Sequence, residues 1–597
     1  MEVEVVTANR RAEPMSQVAG AVTVLTEEDI MRSGATTIPE VLKLVPGVHV
    51  EQVDTDKWVV GIRGFSGLLS NKHLVLLDGR PITSPSTASV VWGNTTPVSM
   101  IKRIEVVKGA WAHLWGADSF TGVINIITKS ASEMQGGESV TTAGTTGVEQ
   151  LLRYGGSVSD FGNYSAYVGG SYKTDNWNGS NSDPRSSRDW VNEQTGLRLD
   201  WMNAYTDSFS LQGAYSSSVI EDGARGSLHI YDPHTRHDYG GYGQLVWNRA
   251  TGLDAGITFR TSFSRDLVSV DDLSGGTNTA DVEVQYAVEQ MGRHRFTWGV
   301  GARYFWDDIR SGTGTSMDQS RRYSFTMNGF GQDRVTLIED NLFLVLGMKL
   351  DSFGEYPVEV QPTVRLLHVR EDDEMWVAVS RAVRVENRWQ RGGSYSIDRG
   401  GVIYTITTPD HLTPEKLIAY EAGYRRRFTP DLDLDLSLFV NDYSQLAMLD
   451  FDTATNTATL TNSLQGKAYG FETQFNWRAN SWLELRPSIY GVYQQIDGDE
   501  EYLVGDSMPE KGVELEYKLM AMTKPLDDVG FDVCAGYVDS PTNNKRPGYW
   551  TLEAHTSWQA SNTLLLELIG RNLLVDTVDR SELRIGPSLD FRVTWDF

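Results

Sequence analysis

GIRGFSGLLSNKHLVLLDGR (residues 61–80), followed by IKRIEVVKGAWAHLWGADSFTGVINIITK (residues 101–129), decides how this chain folds. Strand-sized apolar runs occupy 59–63, 73–77, 104–107 and 123–128. Upstream, 22–25 reads as a short strand. Thr26-Glu27-Glu28-Asp29 then opens a helix, with Thr26 as N-cap and Asp29 three positions on. A second helix is predicted over 37–44, capped by Thr37, with Pro39 in its first turn and an apolar stripe of Ile38, Val41, Leu42 and Val45. Pro46-Gly47 ends it. The first 130 or so residues therefore predict a small mixed α/β unit.

Beyond it the text changes to alternation. Leu432, Leu434, Leu436, Leu438 and Val440 share one parity, with Asp433, Asp435 and Ser437 on the other. Phe296, Trp298, Val300, Ala302, Tyr304 and Trp306 repeat the pattern, as do Leu589, Phe591, Val593, Trp595 and Phe597. No run of 18 apolar residues exists for a transmembrane helix. Runs of period two, apolar on one face and polar or small on the other, suit strands between lipid and a wet lumen, so mean hydropathy stays low. Aromatics near strand ends (Tyr164, Trp201, Trp247, Trp477, Trp482, Trp550, Trp558) fit an interfacial girdle. The single cysteine, Cys534, makes no intramolecular disulfide. A formal charge of −26 disfavours nucleic acid as a partner.

With those features in view, the chain resembles the TonB-dependent outer-membrane transporters. EVEVVTANR (2–10) resembles the TonB box; the quoted stretch resembles the plug. SRAVRVENRW (380–389), LTPEKLIAYEAGYR (412–425), GRNLLVD (570–576) and the terminal Phe597 fit the same family. The resemblance implies a mostly β fold: a 22-stranded antiparallel transmembrane β-barrel occluded by an N-terminal mixed α/β plug. The expected division is 1–10 for the TonB box, 11–133 for the plug and 134–597 for the barrel. It implies a monomer in the bacterial outer membrane, in contact with lipid. Glu2, Val3, Glu4, Val5, Val6, Thr7 and Ala8 would pair as a strand with TonB, energised by the inner-membrane proton gradient. Arg63 and Arg103 of the plug would lie near Glu421 and Glu472 of the wall as a lock, since an unpaired charge there is costly. Met1 is followed at once by acidic and β-branched residues, so the sequence reads as a mature chain with an added start Met.

The outward plug loops are expected at 51–58, 83–96 and 111–118, with Trp58, Trp92 and Asn94 as ligand contacts. Arg388, Trp389 and Arg391, beside Arg384 and Arg399, are candidates for holding an anionic chelate. HIYDPHTRH (229–237) offers His229, His234 and His237, with Asp232 and Asp238, as a transition-metal set. The alternative is a polar loop, or calcium held by Asp175, Asp183 and Asp189 together with Asp232 and Asp238, as in the vitamin B12 branch. No cofactor is otherwise required. There is no G-x-S-x-G, HExxH or P-loop, and no enzyme activity is expected. The haem-type FRAP and NPNL motifs are absent. The expected function is uptake of a scarce metal chelate, first a ferric siderophore, alternatively a cobalamin. A surface receptor that never passes its ligand is the remaining reading.

Overall fold

A computed structural model describes residues 3–52, 57–65, 72–158, 162–174, 189–203, 206–222, 234–270, 273–312, 314–354, 356–399, 402–497, 512–539, 548–574, 578–579 and 584–597. The chain forms a closed barrel of 22 antiparallel strands around an N-terminal plug. Each strand pairs with its neighbour in sequence, and Gly136–Gly144 closes the ring against Ser588–Asp596. Closure removes every sheet edge, as hydrocarbon requires.

Alternation sets the faces. On His294–Arg310, Trp298 and Val300 point outward, 45% and 52% exposed, while Thr297 and Phe305 are buried inward. Leu432–Asp452 and Thr457–Asn480 run to 21 and 24 residues, about twice what crossing needs. Their surplus stands beyond the bilayer. There Thr457–Thr459 pairs in parallel with the outer hairpin Gly393–Arg399 and Val402–Thr407, whose other edge pairs with Thr315–Met317.

The plug sheet runs in the order Ala21–Thr26, Ile101–Lys108, Gly122–Thr128, His73–Leu77, Arg80–Pro81. Both predicted helices form. Glu27–Arg32 carries the Thr26/Asp29 capping box, and Ile38–Leu42 is shorter than expected. Val48–Gln52 hairpins onto Trp58–Ile62, which takes both ends of the expected outward loop 51–58 into strands; residues 53–56 lie outside the described residues.

Arg63 lies at φ 56°, with its side chain wholly buried. Its Nη1 donates to Glu421 at 2.6 Å and its Nε to Glu472 at 2.8 Å. Those partners raise its affinity for the proton against the pull of burial. Arg103 corrects the expectation: it pairs with Glu105 at 2.8 Å, two residues along its own strand and on the same face. The second cation of the lock is Lys108, 2.6 Å from Glu472. Backbone must come close for this. A Cβ on Gly109 (φ 94°) would meet Glu421 Oε1 at 2.1 Å. Arg365 stacks its guanidinium 3.8 Å over Trp111 and donates to the carbonyls of Ala19 and Ala110.

Two outcomes follow for stability. Arg63→Ala takes the closest cation from the buried Glu421 and leaves Glu472 to Lys108 alone, and is expected to cost roughly 3–5 kcal/mol in denaturant unfolding, whereas Arg103→Ala, whose buried partner Glu105 keeps its hydrogen bonds to Val6 and Thr7, costs less. His73 is 1% exposed, with neither ring nitrogen hydrogen-bonded, and burial lowers it to about 4 from 6.5. Between those values the folded state binds fewer protons than the unfolded chain. Stability is therefore full above pH 6.5 and falls on acidification towards pH 4, by up to about 1.4 kcal/mol per unit. Thermal melts from pH 7 to 4 should show that slope, and His73→Phe should flatten it.

Candidate functional site

The N-terminal arm is folded in. Glu4–Val5 pairs with Glu13–Pro14, and Val5, Thr7 and Ala8 are fully buried. Glu105 is the clamp: its Oε2 accepts from the Val6 and Thr7 amides and from the Thr7 hydroxyl at 2.6–3.0 Å. Asn125 donates to the same hydroxyl, and Trp115 Nε1 donates to the Thr7 carbonyl at 2.9 Å. Arg10 (φ 52°) reaches Glu283 at 2.6 Å, donates to the Leu114 carbonyl and lies 4.0 Å over the Trp115 ring. Arg11 caps the carbonyls of Val288 and Phe296 beside the short turns, so the arm enters at the end of the barrel where Gly136 and Phe597 lie. Val3 and Glu4 are exposed; Glu2 falls outside the described residues. A loose extended arm is thus not what the structure holds.

At the other end, the plug loop after Ile82 meets the outer loops. Ser86 bonds Thr277 at 2.7 Å, and the Arg388 and Trp389 amides donate to the carbonyls of Pro85 and Ser86. Asn94 Oδ1 accepts from Ser218 and Asn192. Asp118 (φ 77°) sits near Arg303 and Arg384, and burial raises its carboxyl. Lys72 is ion-paired with Glu415, yet burial outweighs that partner and lowers it to about 8.

Several expected contacts move. Trp58 and Trp92 are 7% and 5% exposed and belong to the plug core, because the Val48–Gln52 hairpin folds the first inward. Arg388 is buried against Asp307 at 2.8 Å and the carbonyls of Gln319 and Arg391, which makes it a brace of the outer loop. Arg391 bonds the Asp410 carbonyl and His411; Trp389 is half-buried, 5.5 Å from Tyr395. Asn94 remains at the plug–wall boundary.

Only His237 and Asp238 of the histidine set have described side chains. His234–Ala250 is a strand, so His237 and Asp238 point to opposite faces, and Asp238 is buried against Arg236 at 2.9 Å. Asp189 accepts from Tyr172. His229, Asp232, Asp175 and Asp183 lie outside the described residues, as do the side chains of His234 and Arg399. Among the described residues no group of three or more His, Cys, Asp or Glu could hold a metal.

Glu105 escapes sequence reading because a lone acid in a strand looks like a solvated face. Its signal is the apolar company of Ile104, Val106 and Val107. Hydrogen bonds to a charged group each contribute about 1.5–3 kcal/mol. Glu105→Ala should therefore speed tryptic cleavage after Arg10 and Arg11 about tenfold or more, with the barrel intact; unchanged cleavage would remove Glu105 from this role.

The geometry matches known proteins. A family model for the TonB-dependent Receptor Plug Domain matches residues 14–123, and one for the TonB dependent receptor-like beta-barrel matches residues 137–573. The vitamin B12 transporter BtuB of Vibrio vulnificus is 32% identical over 463 residues, 74% of this chain and 70% of that protein. The siderophore receptor PirA of Pseudomonas aeruginosa superposes with a TM-score of 0.77 at 17% identity, over 96% of this chain and 99% of its own. The ferripyoverdine receptor of the same organism gives 0.77 at 15%, over 100% and 89%. Plug, 22-stranded barrel and both matches agree: this chain belongs to the TonB-dependent receptor family of the outer membrane.

Proposed function

We propose that this chain imports a corrinoid of the vitamin B12 class, driven by TonB through residues 2–8. The observation that carries the ligand is the 32% identity over 463 residues to a vitamin B12 transporter, against 15–17% to the siderophore receptors. The charges of the outer vestibule agree with it. Arg388 pairs with Asp307, Arg384 with Glu415 and Arg303 with Asp281, so these cations are already neutralised for an anionic chelate. Where the plug loop meets the wall, the paired groups are neutral and hydrogen-bonding: Ser86 and Asn94 of the loop with Thr277, Asn192 and Ser218 of the wall. That chemistry suits the amide-rimmed corrin ring. The second reading, a ferric siderophore, is favoured by Trp389 and Tyr395 beside Arg391, an aromatic pair next to a cation.

Strand addition by TonB needs the backbone groups of residues 3–8, which are docked here. The import reading therefore requires their release when the outer site fills.

Tryptophan fluorescence of the purified protein should show saturable cyanocobalamin binding, with and without calcium, that ferric enterobactin does not displace. Deleting residues 2–8 should keep that binding and abolish uptake by cells. Saturable enterobactin binding with none of cyanocobalamin would replace the corrinoid reading. Uptake unaffected by the deletion would overturn the TonB-driven step.

A further inference from the structure

Eight residues of the plug touch both ends of this machine. Ala112–Trp115 is a single helical turn, entered from Trp111 and left through Gly116 at φ 81°, ψ −163°, a region open essentially to glycine alone. Two positions on, Asp118 holds φ 77°, unfavourable for a residue with a side chain. A glycine-only conformation and a strained aspartate thus bracket Ala117.

The outer end of this segment faces charge. Asp118 sits near Arg384, at the outer end of its strand, and near Arg303 on another strand. Gly116 packs against Lys349 and Asp351, and a Cβ there would meet the Asp351 carboxylate at 3.0 Å. The inner end holds the arm by three separate contacts. Trp115 Nε1 donates to the Thr7 carbonyl at 2.9 Å. The Leu114 carbonyl accepts from Arg10 Nη2 at 2.9 Å. His113 bonds Gln332 at 3.1 Å, and Gln332 donates to Asn9 at 3.2 Å. Thr7, Asn9 and Arg10 are therefore all held, directly or through one amide, by three consecutive residues of one turn.

We propose that residues 111–118 are the coupling element between the outer vestibule and the N-terminal arm. A ligand that redistributes charge around Asp118 turns the Gly116–Asp118 hinge, and the helical turn then lets go of Thr7, Asn9 and Arg10. Glu105 and Asn125 hold Thr7 from the sheet side, so the turn modulates release and does not alone prevent it. This inference rests on the import reading for its purpose, and its test needs no ligand.

The test uses the full chain with Cys534→Ser and a reporter cysteine, Ala8→Cys, at a position fully buried in the docked arm. The rate of maleimide labelling reads arm release. Asp118→Asn keeps the side-chain shape and tolerates the backbone angle while removing the charge; Trp115→Phe removes the donor to Thr7. Each should raise the labelling rate about fivefold or more, the lower range of measured coupling between sites. The acceleration in the double variant, relative to the parent, should fall short of the product of the two single accelerations, because both act through one turn.

If Trp115→Phe speeds labelling and Asp118→Asn does not, the arm latch is real but unconnected to the vestibule, and the proposal fails. If neither does, the turn does not hold the arm, and it fails again. Heat-modifiable migration of each barrel on gels confirms that the variants fold. A chain that binds no cyanocobalamin yet shows the expected labelling would sink the corrinoid reading and leave the coupling element standing.

Discussion

A guanidinium with no exposed surface, held between two carboxylates of the wall, is the constraint on which the arrangement turns. Arg63 reaches Glu421 and Glu472, and Lys108 neutralises the second of them. Such a group of charges is weak evidence for net stability, since desolvation offsets most of the attraction. What it fixes is position. A plug rotated or shifted by one strand would leave a buried ion without its partner, at several kcal/mol. The glycines nearby follow from the same need: only there can the plug backbone approach the Glu421 and Glu472 carboxylates closely enough. Beside the lock the wall packs Phe439, Tyr443, Leu446, Tyr490 and Val492 against Phe65 and Phe120 of the plug, while Ser437 accepts from Arg63.

Strain is distributed along the same boundary. Arg10, Arg63, Asp78 and Asp118 all adopt positive φ without being glycine. Each left-handed residue of this kind costs on the order of 1 kcal/mol and survives only where its surroundings over-determine it. Here the first three have side chains engaged across or beside the plug–wall boundary: Arg10 with Glu283, Arg63 with the lock, and Asp78 with Thr128 and Gln212. Asp118 differs, because its partners Arg303 and Arg384 act at longer range and are themselves paired with Asp281 and Glu415. Of the four, Asp118 is the least firmly held by its neighbours.

The barrel was legible because lipid on one side and polar filling on the other impose period two, and Phe296 to Trp306 obey it strand-long. Arg63 was legible through its family context. Arg103 was not, because the side to which a strand arginine turns depends on the face its parity selects inside a folded plug, while Arg63 leaves its strand in a left-handed turn. Trp58 and Trp92 were misplaced for a related reason. Trp58, placed at the end of the expected loop 51–58, instead opens the strand Trp58–Ile62 and enters the plug core. HIYDPHTRH read as one cluster with Asp238; the strand beginning at His234 puts His237 and Asp238 on opposite faces. Arg388 read as a free cation because nothing in a linear sequence shows Asp307, 81 positions away, arriving beside it. Pattern identifies the element, whereas partners separated by hundreds of residues are set by closure of the ring.

The docked arm and a strand-adding partner compete for the same atoms. The Val6 and Thr7 amides are on Glu105, the Thr7 carbonyl is on Trp115 and the Val3 carbonyl accepts from Met15. An added strand needs those groups free, so docking of the arm and strand addition exclude one another. Two states that exclude one another transmit free energy in both directions. If filling the outer site favours the released arm by some factor, capture of the released arm must favour the filled outer site by the same factor. At equilibrium, then, an engaged partner tightens the grip on the ligand it is about to import. Letting that ligand go inward cannot come from this coupling. It has to come from work done on the plug itself, against the buried charges that hold Arg63 to the wall.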